Sequence, residues 1–341
     1  MRKVTIGSSL AALTLIMGFV IKENPPEFNQ EMTVREALMK LEAYEPSNHE
    51  INTNIQGASI ERGKEIVTKG YTRGPRGLKT RRISKHFVCT SCHNIEREDP
   101  DLAVIDPQAR LEYTANKGIP FLQGSPLYGI VNRDSFYNDD YVKKYGDLVY
   151  AARNDLRQSI QLCSTECSQG RLMKEWELES VLMYLWTLEL KLKDLNIDIE
   201  EEDRIAKAIA DNNNDNATGE LIKSKFMTTS PAHFIPPPVE RSTRSTPDGD
   251  PENGALIYEN SCMYCHDNRR YSFFNLDYSD ATFRNLRNNL DEYHERSIYQ
   301  VARFGTSPAA GKRAYMPQYT LEKMSKQQLE DLKTFIIREA N

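Results

Sequence analysis

Strand-like alternation is sparse along this chain, and its recurring apolar positions fall at helical spacing. Thr33-Val34-Arg35-Glu36 has the capping-box form, and Val34, Leu38 and Leu41 follow at helical intervals. Residues 146–163 read as one helix in which Val149, Ala152, Leu156, Ile160 and Cys163 form a single apolar stripe. Cys163 therefore points toward a core, and Cys167 shares that face if the helix runs on. Residues 175–195 hold a run, 181–186, that is apolar nearly all round, the mark of a buried helix. Ser325-Lys326-Gln327-Gln328 opens a last helix that runs to Arg338. The pattern predicts a mainly α protein.

Other stretches punctuate these elements. Met1-Arg2-Lys3 precedes 18 uncharged residues, 4–21, so residues 1–22 read as a secretory signal or an uncleaved N-terminal membrane anchor. Either places the remainder outside the cytoplasm, in the periplasm. Two units follow, 55–190 and 250–341, joined by a linker at 191–249. The linker contains an acidic run at 198–203, a helical piece at 201–210, Asn212-Asn213-Asn214-Asp215-Asn216 and Pro236-Pro237-Pro238. The units share a weak repeat: Ile60-Glu61-Arg62-Gly63 corresponds to Pro251-Glu252-Asn253-Gly254. Gly63 stands 26 residues before Cys89, and Gly254 only 8 before Cys262. The first unit thus carries an insertion of 18 residues, and the stretch 69–85 is rich in Gly, Arg and Lys.

Composition narrows the class. At about 150 residues per domain, 341 residues agree with two domains. Lys and Arg number 44 against 49 Asp and Glu, a net charge of −5, which does not suit a nucleic-acid-binding protein. Mean hydropathy is −0.62, which excludes a multi-span membrane protein.

The six cysteines carry the chemistry. Cys89-Thr90-Ser91-Cys92-His93 and Cys262-Met263-Tyr264-Cys265-His266 both have the c-type haem attachment spacing. Two thiols on one turn can add to two haem vinyl groups, and the next histidine then faces the iron. Two covalently bound haems are predicted, with His93 and His266 as iron ligands. In the second unit Met316, before Pro317, is the candidate sixth ligand, with Met324 in reserve. The stretch 254–265, followed by 305–337, resembles a class I cytochrome c domain. That family places a Met-Pro ligand near the last helix, and methionine ligation raises the haem potential.

The first unit has no comparable Met-Pro. Cys163 has three readings on its own residues: a thiolate ligand to the first iron, one half of a disulfide with Cys167, or a buried small hydrophobe. Tyr113-Thr114 through Gly118-Ile119-Pro120-Phe121, then Ile160-Gln161-Leu162-Cys163 through Gly170, and on to Trp186, resembles the dihaem thiosulfate dehydrogenases. It is more distantly similar to the haem-thiolate subunit of the periplasmic sulfur-oxidation complex. The resemblance implies that Cys163 ligates the first iron, since the family's cysteine also lies seven residues before a glycine, here Gly170. It also implies arginines that hold an anionic substrate, for which Arg133 is the best match and Arg153 and Arg157 are weaker ones. The chain departs from the family in having Cys167 where a serine stands four residues after the ligand. The implied function is oxidation of a sulfur anion such as thiosulfate, with electrons passing from the first haem to the second and on to a partner cytochrome or oxidase. The alternative is a non-enzymatic dihaem electron carrier, with Met173 or a lysine on the first iron.

Overall fold

The structure is a computed structural model that describes residues 28–211, 215–235, 249–290, 297–306 and 315–341. The segment read as a signal or anchor, 1–22, and Pro236-Pro237-Pro238 lie outside the described residues. No described helix is long and apolar enough to cross a membrane. The protein is mainly α: among the described residues the extended pairings are isolated bridges, Thr33 with Lys191 and Arg73 with Lys79.

The N-terminal half holds α1 (Val34–Lys40), α2 (Ile60–Lys69), α3 (Pro107–Lys117), α4 (Val142–Tyr145), α5 (Leu148–Ala152), α6 (Leu156–Leu162) and α7 (Glu175–Trp186). Next come α8 (Ile199–Ala210) and α9 (Asn216–Ser224). The C-terminal unit has α10 (Pro251–Ile257), α11 (Met263–His266), α12 (Asp280–Arg287), α13 (Ile298–Arg303) and α14 (Lys326–Glu339).

The weak sequence repeat has a packing cause. In each unit the helix before the cysteine motif crosses a long later helix at a glycine. A Cβ on Gly63 of α2 would lie 1.8 Å from the Ser180 carbonyl oxygen and 2.8 Å from Tyr184 Cβ on α7. A Cβ on Gly254 of α10 would lie 2.1 Å from the Asp331 carbonyl oxygen and 2.7 Å from Phe335 Cβ on α14. Both crossings put a glycine on a backbone carbonyl and an aromatic residue one turn later. No other residue type allows so close an approach.

Three expectations meet a different outcome. The helix read over 146–163 is broken. Gly146 has φ +59°, α5 ends at Ala152, and the Arg153 carbonyl accepts from Phe136 N at 2.8 Å instead of continuing a helix. Asp155 then caps α6 by accepting from Gln158 N. Cys163 follows α6 in a widened π turn, Cys163–Cys167, closed by Ser168 N donating to the Cys163 carbonyl at 2.8 Å. The helix read over 175–195 stops at Trp186, because the Leu190 amide and carbonyl pair with Asn132 Oδ1 and Val34 N. Finally, residues 191–235 were expected as linker, yet α8 and α9 pack on α1. Leu38, Leu41, Leu192, Ile205, Ile222 and Phe226 form a buried cluster there. The Asn- and Asp-rich stretch before α9 reads as a loop, but Asp215 caps α9 by accepting from Thr218 N at 2.9 Å.

Candidate functional site

Both cysteine motifs hold their histidine in the same way. His93 Nδ1 is 2.6 Å from the Ser125 carbonyl oxygen, and His266 Nδ1 is 2.8 Å from that of Phe274. A carbonyl partner on Nδ1 makes that nitrogen the proton carrier and leaves Nε2 as the basic nitrogen. Burial lowers both imidazole pKa values, which keeps the rings in the neutral, metal-binding form. Gly124 leaves room for the first ring, since a Cβ there would lie 2.6 Å from His93 Cε1.

A cavity of about 580 Å³ opens beside the second motif. That lies within the roughly 300–1,000 Å³ of cofactor sites. Cys262, Cys265, His266, Met316 and Met324 all line it, among apolar residues such as Leu332 and Ile336. The sequence-predicted Met316 therefore lines the same cavity as the attachment residues. Met324, the reserve candidate, lines it too and is buried. An apolar chamber with two thiols, a neutral imidazole and a thioether fits a covalently held haem. The chamber also reaches the first unit, where Phe87, Ser91 and Cys92 complete its lining.

At the first motif the thiols of Cys163 and Cys167 are hydrogen-bonded to each other, and both interact electrostatically with Cys92. All six cysteines are unbridged. The Cys163–Cys167 hydrogen bond outweighs burial and holds Cys167 down to about 7, while the same bond and burial push Cys163 up. Cys167 Sγ also lies 3.2 Å from the Tyr145 hydroxyl and 4.0 Å from that of Tyr137. Tyr315 Oη donates to the Cys167 carbonyl at 2.8 Å, so the residue next to Met316 closes over the π turn. Of the two sulfurs, Cys167 is thus the one with the better-supported negative charge. These tyrosines were not anticipated. The four-residue spacing of Tyr137, Tyr141 and Tyr145 was visible, but any helix face has that spacing.

The arginines separate. Arg157 grips Glu179 and the carbonyls of Asn48 and Glu50, and Arg153 pairs with Asp139, so both are committed to the scaffold. Arg133 interacts electrostatically with Glu98, Asp99, Tyr141 and His93; its Nη1 donates to Ser230 Oγ at 2.6 Å, and among the described residues it forms no ion pair. Burial lowers its pKa. Met173 is buried in the first core, against which Cys89 packs.

Several contacts fix one unit on the other, among them one between the two motifs and one buried charge cluster. Tyr264, inside the second motif, donates to the carbonyl of Thr90, inside the first, at 2.7 Å. Buried Glu98 accepts from Arg110 Nε at 2.9 Å, Lys323 Nζ at 2.8 Å and Asn94 Nδ2 at 2.9 Å. Arg110 and Glu98 belong to the first unit and Lys323 to the second. No sequence signal marks this triad, because its members are remote along the chain.

Residues 249–336 match the family described as cytochrome C oxidase, cbb3-type, subunit III. No curated protein and no solved structure matches the chain. Residues 249–336 form a cytochrome c domain, and such a domain carries a covalently bound haem and transfers electrons.

Proposed function

We propose that the chain is a periplasmic two-haem c-type cytochrome that oxidises a small sulfur anion such as thiosulfate at its first unit. The electrons leave through the second unit to a partner cytochrome or oxidase. The observation that carries this reading is the hydrogen-bonded Cys163–Cys167 pair in electrostatic reach of Cys92, which itself lines the chamber of the second motif.

Cys89 and Cys92 would hold one haem and Cys262 and Cys265 the other, with His93 and His266 presenting Nε2. When bound, each haem supplies one-electron chemistry at its iron. Two such centres match the two electrons released when two thiosulfates join as tetrathionate. Met316 provides a thioether in the chamber of the second motif, and Cys163 a sulfur at the first motif. Arg133, which feels the carboxylates of Glu98 and Asp99 but pairs with neither among the described residues, offers a cation that lowers the repulsion between an incoming anion and the sulfur pair. Tyr137, Tyr141 and Tyr145 pack against one another and exclude water around that pair, and Tyr137 and Tyr145 hold Cys167 by hydrogen bonding.

One observation favours a plain electron carrier. Met173 lies in the core that contacts Cys89 and would serve as the sulfur ligand in place of Cys163. Low-temperature EPR of the ferric protein, wild type beside Cys163→Ala, decides between them. A low-spin signal with narrow g spread, lost in the variant, together with thiosulfate-dependent reduction of an artificial acceptor, supports the enzyme. A spectrum unchanged by Cys163→Ala with no sulfur-anion activity leaves the carrier.

A further inference from the structure

The first unit's insertion has no role in the chemistry above, yet it is the most charge-segregated part of the chain. Between Glu65 and Glu96 there is no acidic residue and there are seven Lys or Arg, on a protein of net charge −5. Arg73, Arg76, Lys79, Arg81, Arg82 and Lys85 are all exposed, and among the described residues none of them forms an ion pair. A sequence that merely tolerated charge here would be neutralised by nearby carboxylates, as Lys69 is by Glu65 at 2.9 Å.

The insertion is also ordered. Thr80 N donates to the Thr72 carbonyl and Gly74 N to the Leu78 carbonyl, both at 2.8 Å, making a small hairpin. Buried Thr72 fastens it to α2 through Glu65 Oε2 at 2.6 Å. Lys79 Nζ sits 4.0 Å from the Tyr71 ring centroid, which holds the ammonium up without neutralising it. Leu78, at the tip, is 70% exposed. The return strand is anchored beside the first cysteine site. Ser84 Oγ donates to the Ser168 carbonyl at 2.5 Å, and Arg171 N donates to the Ile83 carbonyl at 3.0 Å. Ser168 follows Cys167 directly, and Lys85 is four residues before Cys89. The cations are therefore carried on a rigid platform against the redox residues of the first unit.

We infer that this hairpin is a docking surface for the acidic face of a one-electron transfer protein. The argument is charge complementarity. A fixed cluster of like charges on an otherwise acidic molecule attracts an acidic partner at one place and repels it elsewhere. Such steering is worth roughly 10- to 1,000-fold in association rate and fades with salt. The exposed Leu78 gives the encounter an apolar contact once the charges have aligned it. The inference takes from the reading above only that the protein exchanges single electrons with protein partners; it adds a contact at the first unit to the exit through the second, and the docking itself is independent of what the first unit oxidises.

The test uses the full-chain holoprotein with flavodoxin, an acidic one-electron protein, as the probe. Zero-length carbodiimide coupling followed by peptide mass mapping should join flavodoxin carboxylates to Lys79 and Lys85, and added salt should abolish the coupling. Reduction by flavodoxin hydroquinone should slow at least tenfold at low ionic strength in the variant Arg73→Glu/Arg76→Glu/Arg81→Glu. The gap from wild type should close at high salt. A control of equal charge change elsewhere, Lys40→Glu/Lys117→Glu/Lys207→Glu, should stay within twofold of wild type. Coupling through other lysines, equal slowing in both variants, or a salt-independent rate would overturn the inference. So would cosedimentation with phosphatidylglycerol vesicles that needs the same arginines while the flavodoxin rate does not, since the surface would then face a membrane. Loss of docking with sulfur-anion oxidation intact would sink this inference alone, and the reverse would sink the sulfur reading alone.

Discussion

The Tyr264 hydroxyl donates to the Thr90 carbonyl over 2.7 Å, joining the middle of one C-x-x-C-H motif to the middle of the other. The ring of Tyr264 is braced by Tyr271, with centroids 5.9 Å apart, and by the Arg270 guanidinium 4.3 Å from its centroid. The bond thus links two attachment loops through a side chain that has little freedom. Tyr264→Phe keeps the ring and removes the bond. The expected cost in stability is about 1 kcal/mol, that of one hydrogen bond. With two haems held as proposed above, electron exchange between them, followed by flash photolysis, should slow several-fold. An unchanged rate would mean that they communicate by another route.

The glycine crossings are expected to be the least forgiving positions of the fold. Gly63→Ala and Gly254→Ala each place a methyl group within about 2 Å of a backbone carbonyl oxygen. Backbone cannot rotate away as a side-chain tip can, so α2 must lift off α7, or α10 off α14. Overpacking of this kind costs about 1–3 kcal/mol, occasionally more. Denaturant unfolding of each variant reads the loss. Gly77→Ala makes an instructive comparison: nothing lies within 4 Å of a Cβ there, so its cost comes only from φ +79°.

Glu98 should govern acid stability. Burial alone would push its carboxyl up, but Arg110 and Lys323 together hold it down, to about 2. A carboxyl with a lowered native pKa stabilises the fold fully above the ordinary value of 4.5 and loses that contribution as pH falls from there through the native value. Asp99, raised by burial, acts in the opposite sense. Glu98→Gln leaves two buried cations short of their partner, and removing one member of a buried pair costs about 3–5 kcal/mol. The variant's stability should also vary less between pH 5 and pH 3 than that of the wild type. Equal acid sensitivity in both proteins would place the titrating group elsewhere.

The parts of this architecture that covalent chemistry or close packing dictates were legible in the chain. The cysteine spacing follows from what one helical turn can present, and the Gly63/Gly254 repeat follows from helices that touch at backbone. The mainly α fold was readable from periodicity. What periodicity could not supply was any long-range competition for backbone groups. Val149, Ala152 and Leu156 of the expected stripe are buried, but Phe136 N takes the Arg153 carbonyl and Asp155 caps α6 at Gln158 N, so one helix becomes two and the second buries Leu156, Ser159 and Leu162. The Glu98–Arg110–Lys323 triad and the Tyr264–Thr90 bond are equally invisible, because pairing at such separations leaves no local trace. The reading of 191–249 as linker relied on composition, which is blind to the apolar face that α8 and α9 turn toward α1.

The two sulfurs of the π turn can be told apart by experiment. Cys163 and Cys167 share one hydrogen bond, and the charge it supports falls on Cys167, which also meets the Tyr145 hydroxyl. Protein folded without haem should therefore titrate one thiol near pH 7, visible as thiolate absorbance that grows as pH rises. Tyr145→Phe removes a donor to the thiolate and should move that titration upward. Cys167→Ser should remove it. Cys163→Ser should weaken it, since the hydroxyl that replaces the thiol still donates. In the haem-loaded protein the order reverses if Cys163 ligates the first iron. Cys163→Ala should then abolish the thiolate signature in EPR, and Cys167→Ala should retain it with shifted g values. Loss of the signature in Cys167→Ala alone would assign the ligand to the residue that departs from the thiosulfate dehydrogenase pattern. The serine position of that pattern would then hold the iron ligand, and a substrate site would have to be sought on the Arg133 side of His93.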